Sequence, residues 1–409
     1  MDIRAPKGTD DILPPESHLW RHAVTTFDNL AQRYGYGLTL TPLFEQTELF
    51  ARGVGEDTEV VEKQMYTFAD RKGRSLTLRP EATASVVRAY LSGGGDGVFK
   101  GSYSGPMFRY ERPQKGRRRQ FYQVGVEYIG EAGPFADVEV IELGYRYLQE
   151  MGVPDVAVQL NSIGDVADRQ TFRTVLQEWL RERQELLSPD ARRRIEGNPM
   201  RVLDSKADTE VTADAPTPAE FLGSDSAAHF AVVRSGLERI GIPYVIEPRL
   251  VRGLDYYNRT VFEYVPRQYG AAQSAVGGGG RYDGLAEVLG GRPTPGVGLA
   301  MGLDRILLAS DGVDLGPLLD AFIVVAEPGN TSDAVGLASR LRLEGWRIDI
   351  DPGGRSVKAQ FRKADKKDAR AAIVVGTEWV DNEVVVRDLA RGVQEVIPVE
   401  EIGQWLTNR

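Results

Sequence analysis

Between Tyr103 and Gly130 the chain reads YSGPMFRYERPQKGRRRQFYQVGVEYIG: an apolar run, a loop crowded with cations, and a second run in which bulky residues alternate with small or polar ones. Such runs on both sides of a short loop predict two antiparallel strands. Arg109, Arg112, Lys115, Arg117, Arg118 and Arg119 then sit on or beside one hairpin. Any fold open to this chain must contain that hairpin. So dense a cluster repels itself unless anions neutralise it, and guanidinium forks match phosphate oxygens better than ammonium groups do. A polyphosphate is the expected ligand. A solvated basic hairpin is the plainer alternative, and Phe108, Phe121 and Tyr122 among the charges weigh against it.

The text around the hairpin alternates helix and strand signals. Pro15 to Tyr34 has helical apolar spacing that ends at Gly35 and Gly37, and LTLTPLFE reads as a strand running into Pro42. Short strand-like pieces flank a Lys72-Gly73 turn, a helix starts at Glu81 behind Pro80, and Asp137 to Met151 is an amphipathic helix closed by Gly152. From about 168 to 248 long charged helical patterns replace this text, which predicts an insertion. RGLDYYNRTVFEYV, the Gly277 to Gly280 run and GVGLAMGLDRILLAS then resume the earlier style, so an antiparallel sheet with flanking helices is expected. From Asp320 strands and helices alternate, predicting a separate α/β domain with a mostly parallel sheet.

At 409 residues the chain exceeds one ordinary core, in line with two or three domains. It has no cysteine, which excludes disulfides, thiolate catalysis and zinc thiolate sites. Only three histidines occur, His18, His22 and His229, which leaves little material for histidine-based catalysis; His18 and His22 stand four apart on the first helix, without the glutamate or third ligand of a helical zinc motif, and are read as structural. No metal site from Cys or His is therefore expected. The start lacks a signal peptide's apolar core and no run approaches a membrane span, so a cytoplasmic protein with no membrane partner is expected. A net charge of −9 argues against attraction to nucleic acid over the whole surface. Any nucleic-acid site must be a local patch. Arg355, Lys358, Arg362, Lys363, Lys366, Lys367 and Arg370, opposed only by Asp365 and Asp368, supply one, with a merely solvated helix face as the competing account.

Neither a Walker loop nor a Rossmann glycine fingerprint occurs, so a nucleotide site would have to be built from side chains. Arg109 and the loop arginines could clamp phosphates, Phe121 could offer a ring face to a base, and Arg305 could stack on its other side. RGLDYYNRT and GGGGRYDGL form a second constellation, in which glycines permit close backbone approach and Arg252 stands beside an acid and two tyrosines.

Taken together, these segments resemble a class II aminoacyl-tRNA synthetase, specifically the histidyl-tRNA synthetase family. GYGLTLTPLFEQTELF, FRYERPQKGRRRQF and GVGLAMGLDRILL resemble its three class motifs; RGLDYY and GGGGRYDGL resemble its two histidine-specific motifs. The resemblance implies an α+β catalytic domain with a six-stranded antiparallel sheet flanked by helices (1–167 and 249–319), a helical insertion (168–248), and a C-terminal α/β anticodon-binding domain (320–409). It implies ATP-dependent formation of histidyl-adenylate with Mg2+, transfer of histidine to tRNA(His), and a homodimer formed through the first motif. Arg109 would grip the α-phosphate, Arg117 or Arg119 the γ-phosphate, Phe121 and Arg305 would sandwich adenine, and Glu111 would lie near adenine or the tRNA end. Glu81, Thr83 and Gln123 would bind the α-amino group of histidine, Glu127 and Tyr257 its imidazole nitrogens, with Tyr256 beside them. Arg252 would be the catalytic cation, alongside Arg109. Arg355, Lys358, Arg362, Lys363, Lys366 and Lys367 would face tRNA. A pocket built on hydrogen bonds rejects residues lacking them, so editing should be unnecessary. Ala82, Arg118 and Tyr122 depart from the family pattern, and none carries an assigned role. A regulatory subunit of histidine biosynthesis that shares the catalytic fold, and class II synthetases for glycine, threonine or proline, are the competing readings.

Overall fold

The computed structural model describes residues 3–55, 58–114, 116–203, 205–266 and 275–408, in two units that divide between Val313 and Asp314. Lys115, one of the hairpin cations, lies outside the described residues.

In the first unit, helix α1 (Glu16–Arg33) buries Trp20, Ala23, Phe27 and Leu30, residues three or four apart, and carries His18 and His22. The run expected as one strand is instead divided between β1 (Gly37–Leu38) and β2 (Phe44–Gln46), which belong to different sheets. Pro42, between them, has no N–H to give to a ladder, so the chain leaves one sheet before it enters the next. Helix α2 (Thr47–Val54) follows. Strands β3 (Tyr66–Ala69) and β4 (Ser75–Leu78) meet across the Lys72-Gly73 turn and, with β2, make a three-stranded sheet. Helix α3 (Thr83–Ser92) leads into the basic hairpin, where β5 (Phe99–Phe108) and β6 (Gln120–Ile129) pair antiparallel from Phe99 opposite Ile129 to Phe108 opposite Gln120.

The chain continues through α4 (Pro134–Glu150), β7 (Val156–Ser162), α5 (Val166–Glu182), α6 (Pro189–Gly197), α7 (Met200–Leu203), α8 (Ser224–Arg239), β8 (Tyr244–Ile246), β9 (Asn258–Pro266), β10 (Gly277–Arg281), α9 (Leu285–Val288), β11 (Gly296–Gly302) and α10 (Leu303–Ala309). The large sheet runs β1-β5-β6-β11-β10-β9-β7-β8. It therefore has eight strands, and it is mixed, where six antiparallel strands were expected: the β1–β5 and β7–β8 ladders at its edges are parallel. The edge strands span only two and three residues, too short for a period-two pattern to show in the sequence. Helices α1, α4 and α8 cover one face of the sheet, where Phe27, Ile141, Phe230 and Leu237 share a core with Val124, Val126, Phe262 and Tyr264. Within the helical segment, α5 to α7 close a small core of their own around Phe172, Leu176, Ile195 and Val202, whereas α8 and β8 belong to the main core and sheet.

The second unit contains β12 (Leu319–Val325), α11 (Thr331–Leu343), β13 (Ile348–Ile350), α12 (Val357–Lys366), β14 (Ala369–Val375), β15 (Glu383–Asp388), β16 (Gln394–Pro398) and α13 (Ile402–Thr407). Its sheet, β13-β12-β14-β15-β16, is parallel at β12–β13 and β12–β14 and antiparallel at β14–β15 and β15–β16, so it is mixed rather than mostly parallel. After β14 the connections are too short to hold a crossover helix, which leaves only antiparallel return. Among the described residues no helix is long and apolar enough to cross a membrane.

Beneath the large sheet one buried ion pair ties its elements together. Arg281, at the end of β10, is fully buried; its Nη2 donates to Asp137 Oδ2 at 2.5 Å and to the Gly133 carbonyl at 3.0 Å, and its Nη1 donates to Asp283 at 3.1 Å. Asp137, in the first turn of α4, also stands 3.2 Å from His229 Nε2 of α8. Burial alone would raise the Asp137 carboxyl, but His229 and Arg281 hold it below the ordinary carboxylate value. Asp137→Ala strands the guanidinium without its counter-charge, so it should lower unfolding stability by about 3–5 kcal/mol in chemical denaturation. An unchanged midpoint would show that the pair carries no such role.

Candidate functional site

The alternation of β6 divides its side chains between two jobs. Val124 and Val126 enter the main core, while Phe121, Gln123 and Glu127 fall on the opposite face. There a recess of about 210 Å³ opens against the hairpin loop, β9 to β11, the N-terminus of α3 and the 251–257 loop.

Two cations of its wall, Arg109 and Arg305, lack a carboxylate among the described residues. Arg109 donates from Nε to the Pro80 carbonyl at 2.9 Å and lies 5.3 Å from the Phe121 ring centre, with no acid within ion-pair distance among the described residues. Arg305, on α10, is held by the Gly116 carbonyl at 3.2 Å and the Ala275 carbonyl at 2.8 Å, again without a carboxylate. Burial lowers the proton affinity of both from the ordinary arginine value, and at Arg305 the neighbouring Arg117 adds to the effect. Both stay protonated, since arginine does not deprotonate in proteins. Desolvated charge of this kind is costly until an anion arrives. Arg117 lines the recess 3.7 Å from Glu111, which lines it too. Arg119 does not line it: its guanidinium stacks over Tyr110 at 3.8 Å. Arg118 is neutralised by Asp10 at 3.0 Å and Asp304 at 3.1 Å, and Arg112 is exposed.

The floor is made of strand with the side chains left off. A Cβ at Gly278 would come within 2.5 Å of the Phe262 carbonyl and 2.9 Å of Arg252 Nη1, and one at Gly280 would meet the Tyr257 ring at 2.8 Å. One at Gly298 would overlap the Glu127 carboxylate. The glycine run of β10 is thus the space that Arg252 and Tyr257 occupy, rather than a flexible turn, and Gly298 of β11 leaves the space for Glu127. Arg252 is paired with Glu263 of β9 and lies 5.7 Å over the Tyr257 ring. Burial opposes its charge, but Glu263 and then Tyr257 more than offset that, and its affinity for the proton is raised.

The remaining wall is a chain of buried polar groups. Glu81 accepts from the backbone N–H groups of Thr83 at 2.6 Å and Ala84 at 2.9 Å, capping α3, and burial raises its carboxyl above the ordinary value. Thr83 Oγ1 donates to Glu127 at 2.7 Å, and Tyr282 donates to the other carboxylate oxygen at 2.5 Å. Gln123 lines the recess with its side-chain oxygen buried and unpartnered among the described residues. Tyr256 and Tyr257 also line it, their rings 4.6 Å apart. Glu127 itself is fully buried behind this wall, and desolvation pushes its carboxyl up to about 8.

The structure therefore gathers Glu81, Thr83, Arg109, Glu111, Arg117, Phe121, Gln123, Arg252, Tyr256, Tyr257 and Arg305 around one recess, with Glu127 just behind it and Arg119 outside. Glu263, Tyr282 and Asp304 line it too and were missed. Glu263 was legible as the one acid in β9, between Phe262 and Tyr264, and Tyr282 as the aromatic two residues after the glycine run. Asp304 gave no signal apart from its place beside Arg305.

On α12 the expected patch of free cations is smaller than the sequence suggested. Asp351 lies 3.3 Å from both Arg355 and Lys363, Asp349 pairs with Lys367, and Arg370 donates to the Leu406 carbonyl at 2.7 Å. These acids come from β13 and the turn after it, so helical spacing alone could not reveal them. Lys358, Arg362 and Lys366 remain as an exposed stripe four residues apart, without a carboxylate partner among the described residues.

The histidyl-tRNA synthetase family model matches residues 8–306, and the anticodon binding domain model matches residues 320–409. The histidine–tRNA ligase of Pelotomaculum thermopropionicum is 45% identical over 99% of this chain and 97% of its own length, and that of Thermosynechococcus vestitus is 44% identical over 98% and 96%. The apo crystal structure of S. aureus histidyl-tRNA synthetase superposes with a TM-score of 0.81 at 36% identity, over 99% of this chain and all of that one. With its recess, its motif residues and its two matched regions, this chain belongs to the histidyl-tRNA synthetase family.

Proposed function

We propose that the chain activates histidine with ATP and transfers it to the 3′ end of tRNA(His). The observation that carries this reading is the single recess in which half-buried guanidinium groups without a carboxylate partner adjoin a hydrogen-bonding pocket. A histidine carboxylate oxygen attacks the α-phosphorus, the bond from that phosphorus to the bridging oxygen breaks, and pyrophosphate leaves. The terminal ribose hydroxyl of tRNA then attacks the acyl carbon and AMP departs. Phe121 and Arg305 hold adenine between them, with Glu111 at the edge of the nucleotide. Arg109 and Arg252 face the α-phosphate, where a fixed positive charge lowers the barrier as charge builds on the phosphoryl oxygens. Arg117, which lines the recess, is favoured over Arg119 for the γ-phosphate.

Glu81, Thr83 and the unpaired oxygen of Gln123 suit the α-ammonium group. Tyr257 and Glu127 suit the two imidazole nitrogens, one a donor and the other an acceptor, with Tyr256 packed beside them. Gly298 lacks the side chain that would cover the Glu127 carboxyl, so a ring lying over it would meet that carboxyl. Among the described residues no three acids or histidines form a metal cage. Magnesium carried in on the nucleotide needs only one or two carboxylates besides phosphate oxygens, and Glu111 and Glu263 are the acids available; bound there it would neutralise polyphosphate charge.

In this reading the catalytic body is 1–167 with 249–319, the insertion lies within 168–248, and 320–409 binds the anticodon, with Lys358, Arg362 and Lys366 the cations freest to meet phosphates. A homodimer through the first motif is supported by the exposure of Leu38, Leu40 and Phe44 at 63%, 80% and 50%. A cytoplasmic location suits a chain without cysteine.

ATP–pyrophosphate exchange across all amino acids tests the whole reading. Exchange with histidine alone is expected; none would point to a regulatory subunit, and exchange with another amino acid to a related synthetase. Arg252→Ala should lower histidine-dependent exchange by roughly 10²- to 10³-fold with the protein still folded, the scale set by removing one charge-stabilising donor. Near-normal exchange would end its catalytic role. In the ligand-free protein the raised Glu127 carboxyl contributes stability that is present at low pH and is lost as pH climbs from the ordinary carboxylate range through about 8. Glu127→Gln removes that titration, so its melting temperature relative to the native chain should rise steadily over this window. A flat difference would contradict the buried, protonated carboxyl.

A further inference from the structure

The loop that carries Arg252 and Tyr257 buries Val251 and Tyr257 in an apolar cluster, but its main chain has almost no hydrogen bonding of its own. Residues 251–257 form neither helix nor strand. Among the described residues their main chain makes one hydrogen bond to other main chain, from the Asp255 N–H to the Val54 carbonyl at 3.2 Å. Instead, three side chains from the helical segment reach back to the loop. Arg169 of α5 donates from Nη1 to the Tyr257 carbonyl at 2.8 Å and from Nη2 to the Asp255 carbonyl at 3.4 Å. Asn198, at the end of α6, donates to Asp255 Oδ1 at 2.9 Å. Arg201 of α7 lies 3.5 Å from the same oxygen and donates to the Gly253 carbonyl. Asp255 is the hub: its carboxylate takes both side chains, and it packs so closely on Gly55 that a Cβ there would stand 2.5 Å from Oδ2.

We infer that Arg169, Asn198 and Arg201 are positioning residues that set the loop bearing Arg252 and Tyr257, so that the helical segment fixes the geometry of histidine activation without touching either substrate. The inference rests on the synthetase reading above. The two ends of the loop serve different groups of the proposed reaction, Arg252 the α-phosphate and Tyr257 the imidazole. The nucleotide's other contacts, Arg109, Arg117, Phe121 and Arg305, stand on the hairpin and α10, which the clamp does not touch. Loosening the clamp must therefore affect the two substrates unequally. A misplacement of about 1 Å can cost roughly 10²-fold in rate.

The test is steady-state histidine-dependent exchange by the full chain bearing Asn198→Ala, Arg201→Ala, or Arg201→Lys, whose single ammonium group can still serve both loop acceptors. Each alanine change should lower kcat about tenfold and raise the histidine KM several-fold while the ATP KM stays within about twofold, and Arg201→Lys should recover most of the loss. Should the alanine variants fail to fold, Asn198→Asp, which sets a second carboxylate against Asp255, reads the same split. Unaltered kinetics overturn the inference. So does a fall in kcat with both KM values unchanged, the signature of a smaller folded fraction. If the native chain itself shows no exchange with histidine, the synthetase reading has failed, not this clamp.

Discussion

The site depends on a sheet floor that is left bare. At Gly278, Gly280 and Gly298 the strands β10 and β11 give up their side chains, and Arg252, Tyr257 and Glu127 occupy the space. Only glycine allows a guanidinium, a phenol and a carboxyl to lie this close to a hydrogen-bonded ladder. Because the ladder cannot shift without breaking its own hydrogen bonds, the surface these groups lie on is fixed before any ligand binds, which favours electrostatic catalysis.

Arginines serve two purposes in this framework. Arg281 and Asp137 satisfy each other in the depth of the core, with His229, and join α4, α8 and β10. Arg109 and Arg305 are half-buried, and backbone carbonyls are their hydrogen-bond partners. The first arrangement is closed; the second is a standing demand for an anion. The presence or absence of a carboxylate sets Arg281 apart from Arg109 and Arg305, while Arg252, paired with Glu263 beside the recess, combines both features.

Much of this was legible in the residues. The basic hairpin, the bounding helices, the change of style near 168 and the α/β pattern after 320 all rest on local periodicity, and the structure has them. The parallel edge strands did not show, because two or three residues carry no period. The pairing of Arg252 with Glu263, and of the α12 cations with Asp349 and Asp351, was hidden because those partners come from other strands and turns. Arg117 and Arg119 could not be told apart in a run of three arginines; only the backbone path sends one into the recess and the other onto Tyr110.

The central claim is that one recess takes ATP on its unpaired guanidinium groups and a histidine ring on its hydrogen-bonding wall. A crystal structure with histidine and a non-hydrolysable ATP analogue measures this directly. The account predicts the triphosphate against Arg109 and Arg117, adenine between Phe121 and Arg305, and the imidazole bonded to Tyr257 and Glu127. Phosphates bound elsewhere, or Glu127 still closed behind Thr83 and Tyr282 while other groups hold the ring, would contradict it.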